Sequence, residues 1–189
     1  MEKTIRVGVF GASGCAGMDL VEILSGHPNT TVVFATSNTY AGEVVPFSDL
    51  KYVPSESVSF ADVDVVFLAL PHKASAVVAK QALDAGVKVV DISADLRLDT
   101  PELYEQHYNS AHPHPELLPT VYGLPEINRE KIKGIDVVAN PGCYPTTTLL
   151  GLYPLLKCNA VQAGTPIVVD AKSGVTGAGR KPVLNMMFE

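Results

Sequence analysis

The sequence predicts an α/β protein: a Rossmann-like, doubly wound, mostly parallel sheet, followed by the start of an α+β unit. Short β-branched runs recur at residues 5–10, 32–36, 64–70, 88–93, 136–140 and 167–171, with helical or loop stretches between them. Most of these runs are apolar on both faces, as parallel strands covered by helices on each side must be. A glycine-rich loop follows the first run directly, and alternation of strand with helix completes the pattern.

The first run enters the loop Gly11-Ala12-Ser13-Gly14-Cys15-Ala16-Gly17, and Leu20, Val21 and Leu24 then mark an amphipathic helix. Between the third and fourth runs, Val77, Val78, Ala82 and Ala85 share a helical face, and Gly86 supplies a C-terminal stop. Residues 98–125 differ in kind. Pro101, Pro113, Pro115 and Pro119 interleave there with Tyr and His, which reads as an excursion from the sheet. A domain boundary is expected near Thr146, dividing residues 1–146 from the beginning of a second domain at 147–189. The chain closes on Met186, Met187, Phe188 and Glu189 with no capping signal, an ending that reads as cut.

With 47% hydrophobic and 18% charged residues, the composition is that of a soluble globular chain and not of a disordered one. A net charge of −6, without clustered Lys and Arg, argues against a nucleic-acid surface. The N-terminal apolar run is too short for a signal peptide or a spanning helix, so no membrane contact and a cytoplasmic location are expected. Cys15, Cys143 and Cys158 are spaced too unevenly for a disulfide framework or a metal knuckle.

Glycines after a strand let the backbone turn sharply and approach a pyrophosphate, whose charge is met by N–H groups at the helix start. That context points to a dinucleotide. An acid roughly 20 residues further on would hold a ribose 2′-hydroxyl. Here Ala35-Thr36-Ser37-Asn38-Thr39 stand in its place and the next acid is Glu43, so NADP is favoured over NAD.

Cys143 lies in Asn140-Pro141-Gly142-Cys143-Tyr144-Pro145-Thr146, between a strand and the apolar stretch Leu149, Leu150, Leu152, Leu155 and Leu156. Pro145 suits a first helical turn, which puts the sulfur at the positive end of a helix. Such a place favours a thiolate nucleophile. Cys15 and Cys158 read as small packing residues. His72, after a strand end, either lines the site or caps a helix. His107, His112 and His114 read as solvent-exposed loop residues, and no metal is expected. Arg97 and Arg180 are candidates for gripping phosphate or carboxylate, the alternative for Arg97 being an ion pair with Asp95 or Asp99.

Six motifs in order resemble the N-acetyl-gamma-glutamyl-phosphate reductases: residues 11–17, Leu70-Pro71-His72-Lys73-Ala74-Ser75, Ser93-Ala94-Asp95-Leu96-Arg97, Tyr122-Gly123-Leu124-Pro125-Glu126, residues 140–146 and Ser173-Gly174-Val175-Thr176-Gly177-Ala178-Gly179-Arg180. Aspartate-semialdehyde dehydrogenases look like more distant relatives. Thr147 departs from the family pattern, which has Gly or Ala there.

The resemblance implies NADPH-dependent reduction of an acyl phosphate to an aldehyde, in arginine biosynthesis, through a thioester on Cys143. It implies cofactor contacts at Gly11, Ser13, Gly14, Cys15, Ala16, Gly17, Ser37, Pro71, Ser173, Gly174 and Gly177, and substrate contacts at Arg97, Asn140 and Arg180. It also implies a homo-oligomer and a catalytic, dimerising second domain with a catalytic histidine beyond Glu189. Two alternatives stand beside it: a reductase of aspartyl or aminoadipyl phosphate, and an NADPH-binding module without catalysis.

Overall fold

The computed structural model describes residues 4–180. Its core is one sheet of β1 (Ile5–Phe10), β2 (Thr30–Thr36), β3 (Tyr52–Val53), β4 (Val65–Leu68), β5 (Lys88–Asp91), β6 (Val121–Tyr122) and β7 (Val137–Ala139). The order is β3-β2-β1-β4-β5-β7-β6, and every paired neighbour is parallel. Helices α1 (Cys15–Ser25), α2 (Ala74–Asp84), α3 (Pro101–Tyr108), α4 (Pro125–Ile132) and α5 (Cys143–Lys157) connect or follow these strands.

Strand periodicity divides the core between the two faces. On one face Val7 and Val9 of β1 join Val21 and Leu24 of α1. On the other, Phe10, Val66 and Leu68 pack with Ala76, Ala79 and Ala82 of α2. Each buried Val or Leu contributes about 1.5–3 kcal/mol, so both helices are fixed by the strands they cover. The α2 stripe departs from the expected face: Val77 and Ala85 are exposed, and Ser75, Ala76 and Ala79 are buried with Ala82, because small side chains let that helix sit close to the sheet.

The excursion at 98–125 is ordered and rejoins the sheet at β6, on the outer edge of β7. Within it Thr100 caps α3 by accepting from the Leu103 N–H at 3.2 Å, and Asn109 ends the helix in the left-handed region. The run at 167–171 forms no strand. Residues 167–170 are open to solvent, Val168 at 89%, and β-branched residues make a strand only where a neighbouring strand takes their backbone groups.

Helix α5 continues unbroken through the expected boundary near Thr146, and Leu149, Leu150, Leu155 and Leu156 on it are exposed. The expected cut end, at Met186 to Glu189, lies outside the described residues. Among the described residues, no helix is long and apolar enough to cross a membrane.

Candidate active site

In a parallel sheet all the strands deliver their C-terminal ends to one edge. That edge carries the loops after β1, β2, β4, β5 and β7, in which the sequence-predicted residues fall, apart from Ser173, Gly174, Gly177 and Arg180, which follow α5. The order in which strands are added reverses between β1 and β4, since β2 lies on one side of β1 and β5 on the far side of β4. Such a switch point opens a crevice for a ligand. From β1 to β7 is three strand spacings, roughly 14 Å.

The β1 loop is shaped by two glycines that the fold itself requires. Gly11 has φ of +72°, and a Cβ there would lie 2.3 Å from the Ala69 carbonyl oxygen. At Gly17 a Cβ would lie 2.3 Å from the Gly11 oxygen and 2.7 Å from the Ala12 Cα. Gly14 is different. A Cβ on it meets only the Gly11 oxygen at 3.6 Å, an ordinary contact, so its bareness serves whatever approaches from outside. The loop is tied to β2 where the Gly11 N–H donates to the Thr36 hydroxyl at 3.2 Å, and the Ser13 and Ser37 hydroxyls hydrogen-bond at 2.8 Å.

A cleft of about 670 Å³ lies above this loop, lined by Gly11, Ser13, Gly14, Ser37 and Pro71 among the expected cofactor contacts. Cys15 and Ala16 open α1, and Gly17 is packed beneath the loop; none of the three lines the cleft. Arg180 does line it. Its Nη1 donates to the Ser13 carbonyl at 3.0 Å, and its guanidinium lies 4.4 Å from the centre of the Tyr40 ring. The arginine expected at the substrate therefore stands at the mouth of the nucleotide cleft.

Cys143 is the first residue of α5, exposed, with Gly142 as its N-cap. It lines a second cavity of about 360 Å³ with Tyr144, Thr147, Asp170, Lys172, Ser173 and Gly174. Asp170 and Lys172, an ion pair, were not legible as site residues, because Asp170 sits in a run that reads as a strand and Lys172 directly follows it. Thr147 donates to the Cys143 carbonyl at 3.0 Å, so its hydroxyl is turned back on the helix and the departure from the family pattern is accommodated there. Ser173 and Gly174 thus belong to the thiol's cavity, and Gly177, in a short 3-10 turn, lines neither space.

Arg97 makes no ion pair with Asp95 or Asp99. Its Nε donates to the Asn140 carbonyl at 2.8 Å and its Nη2 to the Ile92 carbonyl at 2.6 Å, joining the exits of β5 and β7. A Cβ on Gly142 would lie 3.1 Å from its Nη1, so the guanidinium is packed directly beneath the turn that presents Cys143. Asn140 also donates its own amide N–H to the Asp91 carbonyl at 2.7 Å.

Asp95 was missed by the sequence reading except as a possible ion-pair partner. It is fully buried and accepts from the backbone N–H of Lys73 and of Ala76, both at 3.0 Å, and from the Tyr104 hydroxyl at 2.9 Å. It therefore anchors the start of α2 and the Pro71 wall of the cleft. His72 stands half-exposed beside it, with Nδ1 3.8 Å from the carboxylate. His112 overturns the solvent-exposed expectation. It is 6% exposed, its Nε2 donating to the Asp95 carbonyl at 2.8 Å, because the proline-rich stretch folds back over Tyr104. His114 is half-buried and bonds Glu116 at 2.9 Å; His107, on α3, is exposed. Burial pushes the Asp91 carboxyl above its usual range, against the opposing hydrogen bonds from Ser75 and Ser93. Among the described residues, no group of three His, Cys, Asp or Glu gathers as a metal site would require.

Residues 6–135 match the family model of the semialdehyde dehydrogenase NAD-binding domain, and residues 143–189 match that of the semialdehyde dehydrogenase dimerisation domain. The chain belongs to the semialdehyde dehydrogenase family. Curated N-acetyl-gamma-glutamyl-phosphate reductases resemble it closely: the Desulforudis audaxviator protein is 47% identical over 93% of this chain and 54% of its own length. The Acinetobacter baylyi protein is 45% identical over 97% and 56%. The chain thus spans little more than half the length of the curated relatives it matches. Among solved structures, aspartate semialdehyde dehydrogenase II from Vibrio cholerae, complexed with ASA, shares the fold at a TM-score of 0.60 and 20% identity, over 82% of this chain and 47% of that one. The Candida albicans aspartate semialdehyde dehydrogenase with NADP aligns at a TM-score of 0.53 and 20% identity, over 82% of this chain and 47% of that one. Both bear on the fold of this semialdehyde dehydrogenase relative, and their ligands belong to those structures.

Proposed function

We propose that residues 1–146 are the NADP-binding unit of an N-acetyl-gamma-glutamyl-phosphate reductase, and that 147–189 begin its catalytic and dimerising part. The full protein then reduces N-acetylglutamyl 5-phosphate to the 5-semialdehyde in arginine biosynthesis, as a cytoplasmic homo-oligomer. One observation carries this reading: an exposed cysteine opens a helix on the same sheet edge as a glycine-floored nucleotide cleft.

The Cys143 sulfur attacks the acyl carbonyl, the C–O bond to phosphate breaks, and phosphate leaves with that electron pair. A thioester remains on Cys143. NADPH, which Gly11, Ser13 and Gly14 would hold in the cleft, would supply the hydride for that thioester, and cleavage of the C–S bond would then release the aldehyde and return the sulfur to Cys143. The residues fit this cofactor, because Gly14 is bare towards the cleft and, among the described residues, no carboxylate lines it to repel phosphate. Attack requires a thiolate, and Cys143 stands exposed at the start of α5, where an acyl carbonyl can reach it. Arg97 holds the Cys143 turn from below, keeping the sulfur on the sheet edge.

Mixing the chain with N-acetylglutamyl phosphate, without reductant, tests the first half of the reaction. One equivalent of phosphate and an acyl adduct on Cys143 are expected, with none on Cys143→Ser. Equal phosphate release by Cys143→Ser refutes the assignment, and a faster adduct from aspartyl or aminoadipyl phosphate moves the substrate to that homologue. No histidine lines the Cys143 cavity among the described residues, and a general acid/base typically contributes about 10²–10⁴-fold. Sustained NADPH oxidation by these 189 residues is therefore not expected.

A further inference from the structure

An NADP-selective cleft needs a positive charge for the phosphomonoester on the adenosine ribose. The exit of β2 offers only Ser37, Asn38 and Thr39, which have hydroxyl and amide groups. Absence of an acid removes repulsion from NADP but provides no attraction. The missing cation arrives from far along the sequence. Arg180, 167 residues from Ser13, bonds that residue's carbonyl and is the one charged side chain lining the cleft among the described residues.

Its geometry is that of a prepared anion fork. The Tyr40 ring supports one face of the guanidinium, and the Ser13 carbonyl fixes Nη1. No carboxylate pairs with it among the described residues, and Nε and Nη2 have no protein acceptor there. An arginine pinned at one nitrogen and open at two presents the two-point donor set that phosphate oxygens accept. Beside it the Ser13 and Ser37 hydroxyls bond each other, and either can rotate to donate to an incoming oxygen.

We propose that Arg180, with the Ser13 and Ser37 hydroxyls, binds the 2′-phosphate of NADP, and so sets cofactor selectivity instead of holding the acyl phosphate. This rests on the dinucleotide reading above. It also gives the 173–180 segment a purpose, because the same stretch lines the thiol cavity at Ser173 and Gly174 and the nucleotide cleft at Arg180.

The test uses two pairs of ligands that differ by that one phosphate, NADP against NAD and 2′,5′-ADP against AMP, titrated calorimetrically into the chain and into Arg180→Ala. Loss of charge-assisted hydrogen bonds predicts that Arg180→Ala weakens NADP and 2′,5′-ADP roughly 10- to 100-fold and leaves NAD and AMP within about twofold. Arg180→Lys is expected to recover part of the loss, since it keeps the charge without the fork. Equal weakening of all four ligands overturns the inference, because Arg180 then only braces the cleft. Unchanged NADP affinity overturns it too. Failure of the unsubstituted chain to bind any of the four sinks the dinucleotide reading itself, and the inference with it.

Discussion

Alanine at Gly14 and alanine at Gly17 separate binding from folding within four residues of chain. At Gly17 the new Cβ would sit 2.3 Å from a backbone oxygen and 2.7 Å from a backbone carbon. Ordinary contact needs about 1 Å more, and backbone on both sides must move to give it, a strain of about 1–3 kcal/mol. For a chain of this size each kcal/mol lowers the melting temperature by about 2–4 °C. At Gly14, φ of −75° and ψ of 165° suit any L-residue, and the nearest atom is 3.6 Å away. Stability should change there by less than about 1 kcal/mol. Yet Gly14 lines the cleft, so its methyl group would hold a phosphate off the backbone N–H groups and cost tenfold or more in NADP affinity, about 1.4 kcal/mol. Thermal melts by circular dichroism and calorimetric titration read the two quantities. Should Gly14→Ala bind NADP as the unsubstituted chain does, with an unaltered melt, the placement of phosphate on this loop is wrong.

Cys143 and Cys158 occupy opposite ends of α5 and are both exposed, so one helix provides its own comparison. With about 0.3–1 kcal/mol at each end of the helix, near-neutral alkylation should label Cys143 about 3- to 30-fold faster, and faster labelling of Cys158 in mass-mapped digests removes the electrostatic basis for the nucleophile. Asp91, whose carboxyl burial holds above its usual range, contributes stability that is complete below the unfolded carboxyl value of about 3.9 and lost as pH rises through the folded one. The stability of the unsubstituted chain relative to Asp91→Asn should therefore decline as pH rises above about 4, and parallel denaturant-derived profiles for the two refute the shift.

How much of this was legible in the sequence depended on range. β1 matches its expected bounds, and β2, β4, β5 and β7 fall within a few residues of theirs, because buried parallel strands are continuous apolar runs. The two-residue strands β3 and β6 carry no pattern and exist only by pairing at the sheet's edges. The run at 167–171 has the composition of a strand and no strand beside it, so propensity had nothing to act on. Helix α3 was readable and overlooked: Thr100, Pro101 and Asn109 are its cap, first turn and stop, obscured by the prolines that follow. At the site, Gly11 and Gly14 line the cleft and Cys143 opens a helix, positions that local motifs make readable because strand and loop are contiguous there. Asp95, His112 and Arg180 take their roles from partners in other elements, and no spacing rule connects Arg180 with Ser13.

The partners of Arg97 are two backbone carbonyls, and that choice makes the Cys143 turn insensitive to acidity. A guanidinium keeps its proton at every pH an enzyme meets, and a carbonyl has none to gain, so nothing in the tie titrates. An arginine held by a carboxylate would loosen in acid. The tie is also sheltered from mutation on its acceptor side, because any residue at position 92 or 140 still brings a carbonyl. Its vulnerability lies in the Arg97 side chain and in Gly142, where an added Cβ would press on the guanidinium at 3.1 Å.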